Sequence, residues 1–148
     1  AYHLAPMNLI GDGIHNFLDG LVIAGAYAVN IPLGIAATIS VIFHEVPQEI
    51  ADFGVLLYSG LSKKKALLFN FMSALTALAG AFLGIILAGR TTNFTHFIIP
   101  FAAGSFIYIA ASDLIPELHK ETEVKKSLMQ LFGIVLGIGV MMSMLLLE

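Results

Sequence analysis

Two short stretches of the chain place imidazole, amide and carboxylate groups at helical spacing. The first holds Asp12, His15, Asn16 and Asp19; the second holds His44, Glu45, Gln48, Glu49 and Asp52. His15 and Asp19 are four residues apart, as are His44 and Gln48, and Glu45 and Glu49, so each pair shares a helical face. Glu45 and Asp52 are seven apart, two turns along the same side. The chain has no cysteine, which excludes a thiolate site. Nitrogen and oxygen donors without sulfur suit divalent ions of the Zn, Fe, Mn or Cd type better than Cu(I). The candidate ligands are His15, Asn16, Asp19, His44, Glu45, Gln48 and Glu49. Asp12 and Asp52, at the ends of the cluster, fit proton carriers, entry-path acids or hydrogen-bonded structural groups.

These groups sit in sequence suited to lipid. Hydrophobic residues make up 58% of the 148 residues and charged residues 11%. Soluble domains carry about 45–50% apolar and about 25% charged residues. A mean hydropathy of +0.92 points the same way. The net charge of −3 gives no basis for a nucleic-acid partner. An ionisable group at the bilayer centre costs on the order of 3 kcal/mol by the milder scales, so these must face one another rather than lipid.

The elements that hold them are predicted to be helices, because lipid leaves no partner for an unpaired backbone amide. A hydrocarbon core of roughly 30 Å takes about 20 helical residues. Five spans of that length are expected, at 7–29, 33–58, 66–88, 95–116 and 127–147, forming an all-α, polytopic membrane bundle of one domain. Asn30-Ile31-Pro32 is read as a turn, with Pro32 in the first turn of the next helix. Ser62 is read as the N-cap of the third span. So short a turn makes spans one and two antiparallel neighbours, with the middle of one facing the middle of the other. Lys63, Lys64, Lys65, Lys120, Lys125 and Lys126 follow spans two and four, against Arg90 alone on the other side. That bias places the loops after spans two and four in the cytoplasm. Small residues on the third span (Ser73, Ala77, Gly80, Gly84) and the fifth (Gly133, Gly137, Gly139) predict close helix packing.

Pro47 falls inside the second motif and frees the carbonyl of Phe43 beside the ligands. Asp113, with Glu117 and His119, lies near the cytoplasmic end of span four and suits an exit relay for an ion. Two rival readings stand beside ion transport. His44-Glu45 is shared with HExxH zinc hydrolases, although Gln48 replaces the second histidine and Pro47 interrupts the helix. A metal-binding membrane subunit that does not transport is the other.

The stretches His15-Asn16-Phe17-Leu18-Asp19-Gly20 and His44-Glu45-Val46-Pro47-Gln48-Glu49-Ile50-Ala51-Asp52-Phe53 resemble the paired motifs of the ZIP (Zrt/Irt-like) family of metal transporters. Phe101 to Glu117, with Ala103-Gly104 and Tyr108-Ile109-Ala110, is similar to the family's seventh helix. The resemblance implies an eight-helix fold in which the five spans are helices four to eight, with three more before Ala1. It implies a transporter, not an enzyme, that carries Zn2+ as substrate into the cytoplasm by alternating access, with Fe2+, Mn2+ or Cd2+ as other cargo. It places the protein as a multi-pass component of the plasma (inner) membrane, compatible with a homodimer. By residue matching, His15, Asp19, His44 and Gln48 fall on the primary metal site, and Asn16 and Glu45 on an adjoining one. Glu49 matches an acid of the longer motif, and Asp113 an inner-side metal contact. Gln48 stands where the longer motif has histidine and Ala51 where it has glycine. Residues 66–88 hold no acid, although some relatives supply one to a second metal from that helix.

Overall fold

The computed structural model describes residues 4–144 and Leu146, apart from the side chains of Ile109, Asp113, Leu114, Glu117 and Met144. Helix α1 (Leu4–Val29) runs into α2 (Ile31–Tyr58) through one non-helical residue, Asn30. The predicted turn is therefore tighter than the sequence suggested. Asn30 is extended, its side chain accepts from the Leu33 amide at 2.7 Å, and Pro32 occupies the first turn, where no backbone donor is lost. The Tyr27 ring lies so close that a Cβ on Gly34 would fall 2.2 Å from it. This locks the antiparallel pairing at its closed end.

Helix α2 ends in a Schellman arrangement. Gly60 adopts a φ of 98°, and the amides of Gly60 and Leu61 donate to the carbonyls of Leu57 and Leu56 at 3.0 and 3.2 Å. Ser62 is the N-cap of the next helix, as read from sequence, though its side chain makes no capping bond.

The third span is one rod with a break. Helices α3 (Lys63–Ala74) and α4 (Thr76–Arg90) are separated by Leu75. The cause is local hydroxyl chemistry. Ser73 donates to the carbonyls of Asn70 and Phe69, and Thr76 donates to that of Ser73 and, across the interface, to that of Gly13 at 2.6 Å. Such bonds compete with the helical ladder. Beyond the break the small residues let two backbones meet. A Cβ on Gly20 would fall 2.0 Å from the Ala77 oxygen, and one on Gly80 would fall 1.9 Å from the Phe17 oxygen. Helix α1 packs most extensively on α4.

Helix α5 (Thr92–Ile109) begins at Thr91, whose side chain accepts from the Asn93 amide. The fourth span continues through a π-helical turn at Ala110–Leu114 into the short α6 (Ile115–Leu118). Helix α7 (Val124–Met144) completes the described chain, which holds no strand. The rods Lys63–Arg90, Thr92–Ser112 and Val124–Ser143 are each long and apolar enough to cross a membrane. Gly133, Gly137 and Gly139 meet no atom within 4 Å of where a Cβ would stand, so the expected buttress on the fifth span is not formed among the described residues.

Two apolar clusters flank the polar motifs. Leu21, Val22, Ile98 and Ala102 form one, and Ala5, Leu56 and Ala66 the other. Along α1 the polar stretch from Asp12 to Asp19 lies between them.

Candidate metal centre

The antiparallel pairing brings the middle of α1 to the middle of α2, and four side chains meet there. His15 Nε2 lies 3.3 Å from His44 Nε2 and 3.2 Å from Glu45 Oε1. His44 Nε2 lies 2.9 Å from Asp19 Oδ2 and 3.3 Å from Glu45 Oε1. Asp19 Oδ2 is 3.8 Å from His15 Nε2. One ligand atom from each of the four falls within 4.8 Å of the others, the one such group among the described residues. The side chains of Asp19, His44 and Glu45 are 5, 8 and 15% exposed; that of His15, at 22%, is the most open edge. Phe106 of α5 walls the group, edge-on to the His44 ring at 5.5 Å.

The protons show what this arrangement needs. His44 Nδ1 lies 3.0 Å from the Ser40 carbonyl, which can only accept, so Nδ1 carries the hydrogen. In the neutral ring Nε2 then presents a lone pair to the other three groups. A backbone partner behind a histidine is a common device for holding a metal ligand in one tautomer. Asp19 Oδ2 and Glu45 Oε1 are buried and receive no hydrogen bond. Two carboxylate oxygens and two imidazole nitrogens thus converge, and with both Nε2 atoms presenting lone pairs no donor lies between them. Unpaired charge of that kind is expensive in a low-dielectric interior, and a cation at the centre satisfies it. The size fits as well. Zinc–ligand bonds of about 2.0–2.1 Å in a tetrahedron set ligand atoms roughly 3.3–3.4 Å apart; five of the six separations here run from 2.9 to 3.8 Å, and all six lie within 4.8 Å.

Two of the other candidate ligands, Asn16 and Glu49, are engaged with other partners. Asn16 is buried and donates to Asp12, to the carboxylate at 2.8 Å and the backbone carbonyl at 3.1 Å. Glu49 takes its hydrogen bond from Asn70 on α3, which also donates to the Glu49 carbonyl. Gln48 is half-buried on α2, without a hydrogen bond or ion pair among the described residues. The side chain of Asp113 lies outside the described residues, on the π-helical turn. Asp52 accepts from Asn8 at 2.7 Å, joining α1 to α2 two turns from the histidines. The sequence reading missed Asn8, Asn70 and the Ser40 carbonyl. Asn70 carried a signal, as an amide in an otherwise apolar span; the Ser40 carbonyl carried none.

A cavity of about 540 Å³ opens on the far side of His44, lined by Phe43, Phe106, Leu136 and Met141 among others. Its walls are apolar and add no charged ligand to the four.

Comparison with known proteins meets this geometry from another direction. The family model of the ZIP zinc transporters matches residues 2–145. Zinc transporter ZIP10 of Danio rerio is 40% identical over 98% of the chain, which spans 18% of that relative. The zinc transporter ZIP13 homolog of Drosophila melanogaster is 40% identical over 95% of the chain, which spans 41% of it. Zinc transporter zipt-7.2 of Caenorhabditis elegans is 40% identical over 93% of the chain, which spans 30% of it. The chain thus covers less than half the length of these relatives. No solved structure matches it significantly. Its apolar rods and these relatives make it an integral membrane protein. With the match running along nearly its whole length, the chain belongs to the ZIP zinc transporter family.

Proposed function

We propose that the chain carries zinc ions across the membrane, into the cytoplasm, through the centre formed by His15, Asp19, His44 and Glu45. The observation that carries this reading is the convergence of four donor atoms, two of them orphaned buried oxygens, inside an apolar helix bundle. All five helical rods cross the bilayer in this reading, α1 and α2 with their polar groups turned inward, as helices four to eight of a larger assembly. The lysines after α2 and before α7 set the cytoplasmic side, in the plasma membrane. An arriving ion exchanges water for imidazole and carboxylate between α1 and α2, and leaves after the two helices shift toward the inner face. Fe2+, Mn2+ and Cd2+ share enough of zinc's coordination chemistry to compete. Carboxylates and neutral imidazoles bind protons in competition with metal, so uptake falls as pH drops.

Hydrolysis is the weaker reading. An HExxH-type hydrolase keeps its glutamate off the metal as a base and uses a second histidine as ligand. Here Glu45 Oε1 is among the converging atoms and Gln48 holds the second position.

The test is zinc entry into liposomes that contain the full chain and a zinc-sensing dye. His44→Ala should lower initial uptake by more than the roughly 10–100-fold that loss of an outer partner of a metal ligand brings. Uptake by His44→Ala equal to the unaltered chain would remove the centre from the pathway.

A further inference from the structure

The six lysines fall into two groups of opposite character. Lys120, Lys125 and Lys126 share their stretch with Glu121 and Glu123. Lys126 Nζ lies 3.2 Å from Glu121 and 3.3 Å from Glu123, and Lys120 also has a partner. Lys63, Lys64 and Lys65 open α3 fully exposed and without an ion pair among the described residues. No acid occurs in the sequence between Asp52 and Asp113. Three adjacent like charges thus stand uncompensated in the first turn of a helix, where the backbone dipole disfavours cations.

The helix below them has two faces. Ala66 packs with Ala5 and Leu56, and Ser73 lies beside Gly13. Leu67, Leu68, Phe71 and Met72 are 55–61% exposed. At about 100° per residue these four span roughly 100–240° around the axis from Ala66, and Lys64 falls near 160°, with Lys63 and Lys65 to either side. The lysines therefore head the apolar face rather than the packed one. The depth is also set. The rod that α3 begins has 28 residues and is about 42 Å long. That matches a bilayer with its headgroups, roughly 40–45 Å. Its first residues stand at the level of the phosphates. Tyr58, 78% exposed where α2 ends, is of a residue type enriched at that level.

We propose that Lys63, Lys64 and Lys65 bind the headgroup of an anionic phospholipid whose tails lie along Leu67, Leu68, Phe71 and Met72. The ammonium groups meet the phosphate and the headgroup's further negative charge, while the lysine stems rest on the acyl chain. An acidic protein segment would offset the charge but leave the apolar face beneath it uncovered. A lipid supplies both parts in one molecule. Because α3 leads into α4, the bound lipid fixes the depth of the rod on which α1 is seated. The proposal stands on the membrane reading of the rods and not on zinc transport.

The test is native mass spectrometry of the full chain in a nonionic detergent, titrated with phosphatidylserine or with phosphatidylcholine of the same tails. Each lysine near an anionic lipid surface adds roughly fivefold, so phosphatidylserine should bind on the order of 100-fold tighter. Raising salt should narrow that gap. Lys63→Gln, Lys64→Gln and Lys65→Gln together should close it, with helix content by circular dichroism unchanged. Lys125→Gln with Lys126→Gln should leave the gap in place. Equal affinities for the two lipids in the unaltered chain would overturn the site. So would a preference that survives the triple substitution, or one lost as fully in the double. If the triple variant loses helix content, Lys64→Gln alone decides: roughly fivefold weaker phosphatidylserine binding supports the site, and unchanged affinity overturns it. Two competitors separate the sources of negative charge. Glycerophosphoserine, the headgroup without tails, and an oligoglutamate peptide should each displace the lipid only in large excess. Displacement by either at the lipid's own concentration would assign the lysines to a free anion or to an acidic protein, and would overturn the lipid. Zinc flux does not enter these measurements, so a failure of the transport reading leaves their outcome standing.

Discussion

Helix α1 and helix α7 are both long and both rich in small residues, yet the structure treats them in opposite ways. Around α1, glycine brings backbones into contact, with Gly20 against Ala77 and Gly80 against Phe17. Around α7, Gly133, Gly137 and Gly139 face open space, and none of the most apolar stretch of that helix is buried. Every side chain in the four-residue centre comes from α1 or α2, and α4 is the surface against which α1 is set. A site whose donor atoms must hold within a few tenths of an ångström needs a rigid support, and interlocked backbones supply one. Helix α7 donates no residue to the centre and is left free to present its apolar side chains to lipid.

The largest expected effect comes from breaking that contrast directly. Gly80→Ala puts a methyl group 1.9 Å from where the Phe17 oxygen now lies, so α1 and α4 must separate. Overpacking of this kind costs about 1–3 kcal/mol, and more where backbone is the obstacle. Because Phe17 lies between His15 and Asp19, the shift also moves two of the four side chains of the centre. Zinc affinity and resistance to SDS unfolding should both fall. Gly137→Ala should leave both unchanged within error. Equal losses from the two substitutions would show that α7 is seated as firmly as α4 and would end the comparison.

Much of the centre was legible before any coordinates. The helical pairs His15/Asp19, His44/Gln48 and Glu45/Glu49 put the four groups whose atoms converge among the seven expected ligands, without setting Glu45 above Gln48. The short link at Asn30 sets the antiparallel pairing that lets them meet. Asn16 was not separable from the ligands by spacing. It is one residue, and so about 100° of helix rotation, from His15, and only the packing of α1 on α3 and α4 decides which side faces the centre. Glu49 went the same way, drawn to Asn70 on a helix whose rotation the sequence leaves open. The break at Leu75 was hidden because the hydroxyls of Ser73 and Thr76 act through bonds to carbonyls, one of them on another helix. The π-helical turn at Ala110–Leu114 has no signature that hydropathy could reveal.

A middle-sized effect sharpens the comparison at its inner edge. Thr76 ties α4 to α1 by donating to the Gly13 carbonyl at 2.6 Å, two residues from His15. Thr76→Val keeps the shape and removes the hydroxyl. Interhelical hydrogen bonds in membranes average about 0.6 kcal/mol by double-mutant cycles. The expected loss is therefore small in SDS unfolding, and zinc affinity should fall by less than in Gly80→Ala. A Thr76→Val loss as large as that of Gly80→Ala would mean that this bond, rather than glycine contact, seats α1.

The smallest effect belongs to the end of α7, where support comes from a loop and not from a neighbouring helix. Glu121 Oε1 accepts from the Thr122 and Glu123 amides, both at 3.1 Å, and Oε2 faces Lys126 Nζ at 3.2 Å. The Glu123 amide first, and the Lys126 ammonium after it, hold the Glu121 carboxyl below its ordinary value of 4.5. The group lies in solvent, where such pairs contribute little and salt screens them. Its sign is nonetheless fixed: a lowered folded-state pKa supports the fold above the ordinary value and ceases to as pH falls through the lowered one. Hydrogen exchange at the first amides of α7, corrected for its intrinsic pH dependence, should quicken as pH falls below about 4.5. Glu121→Gln keeps an acceptor for the two amides and loses the charge, so its exchange should be slightly faster at neutral pH and lack that acid step. An acid step that persists in the variant would show that Glu121 is not its source.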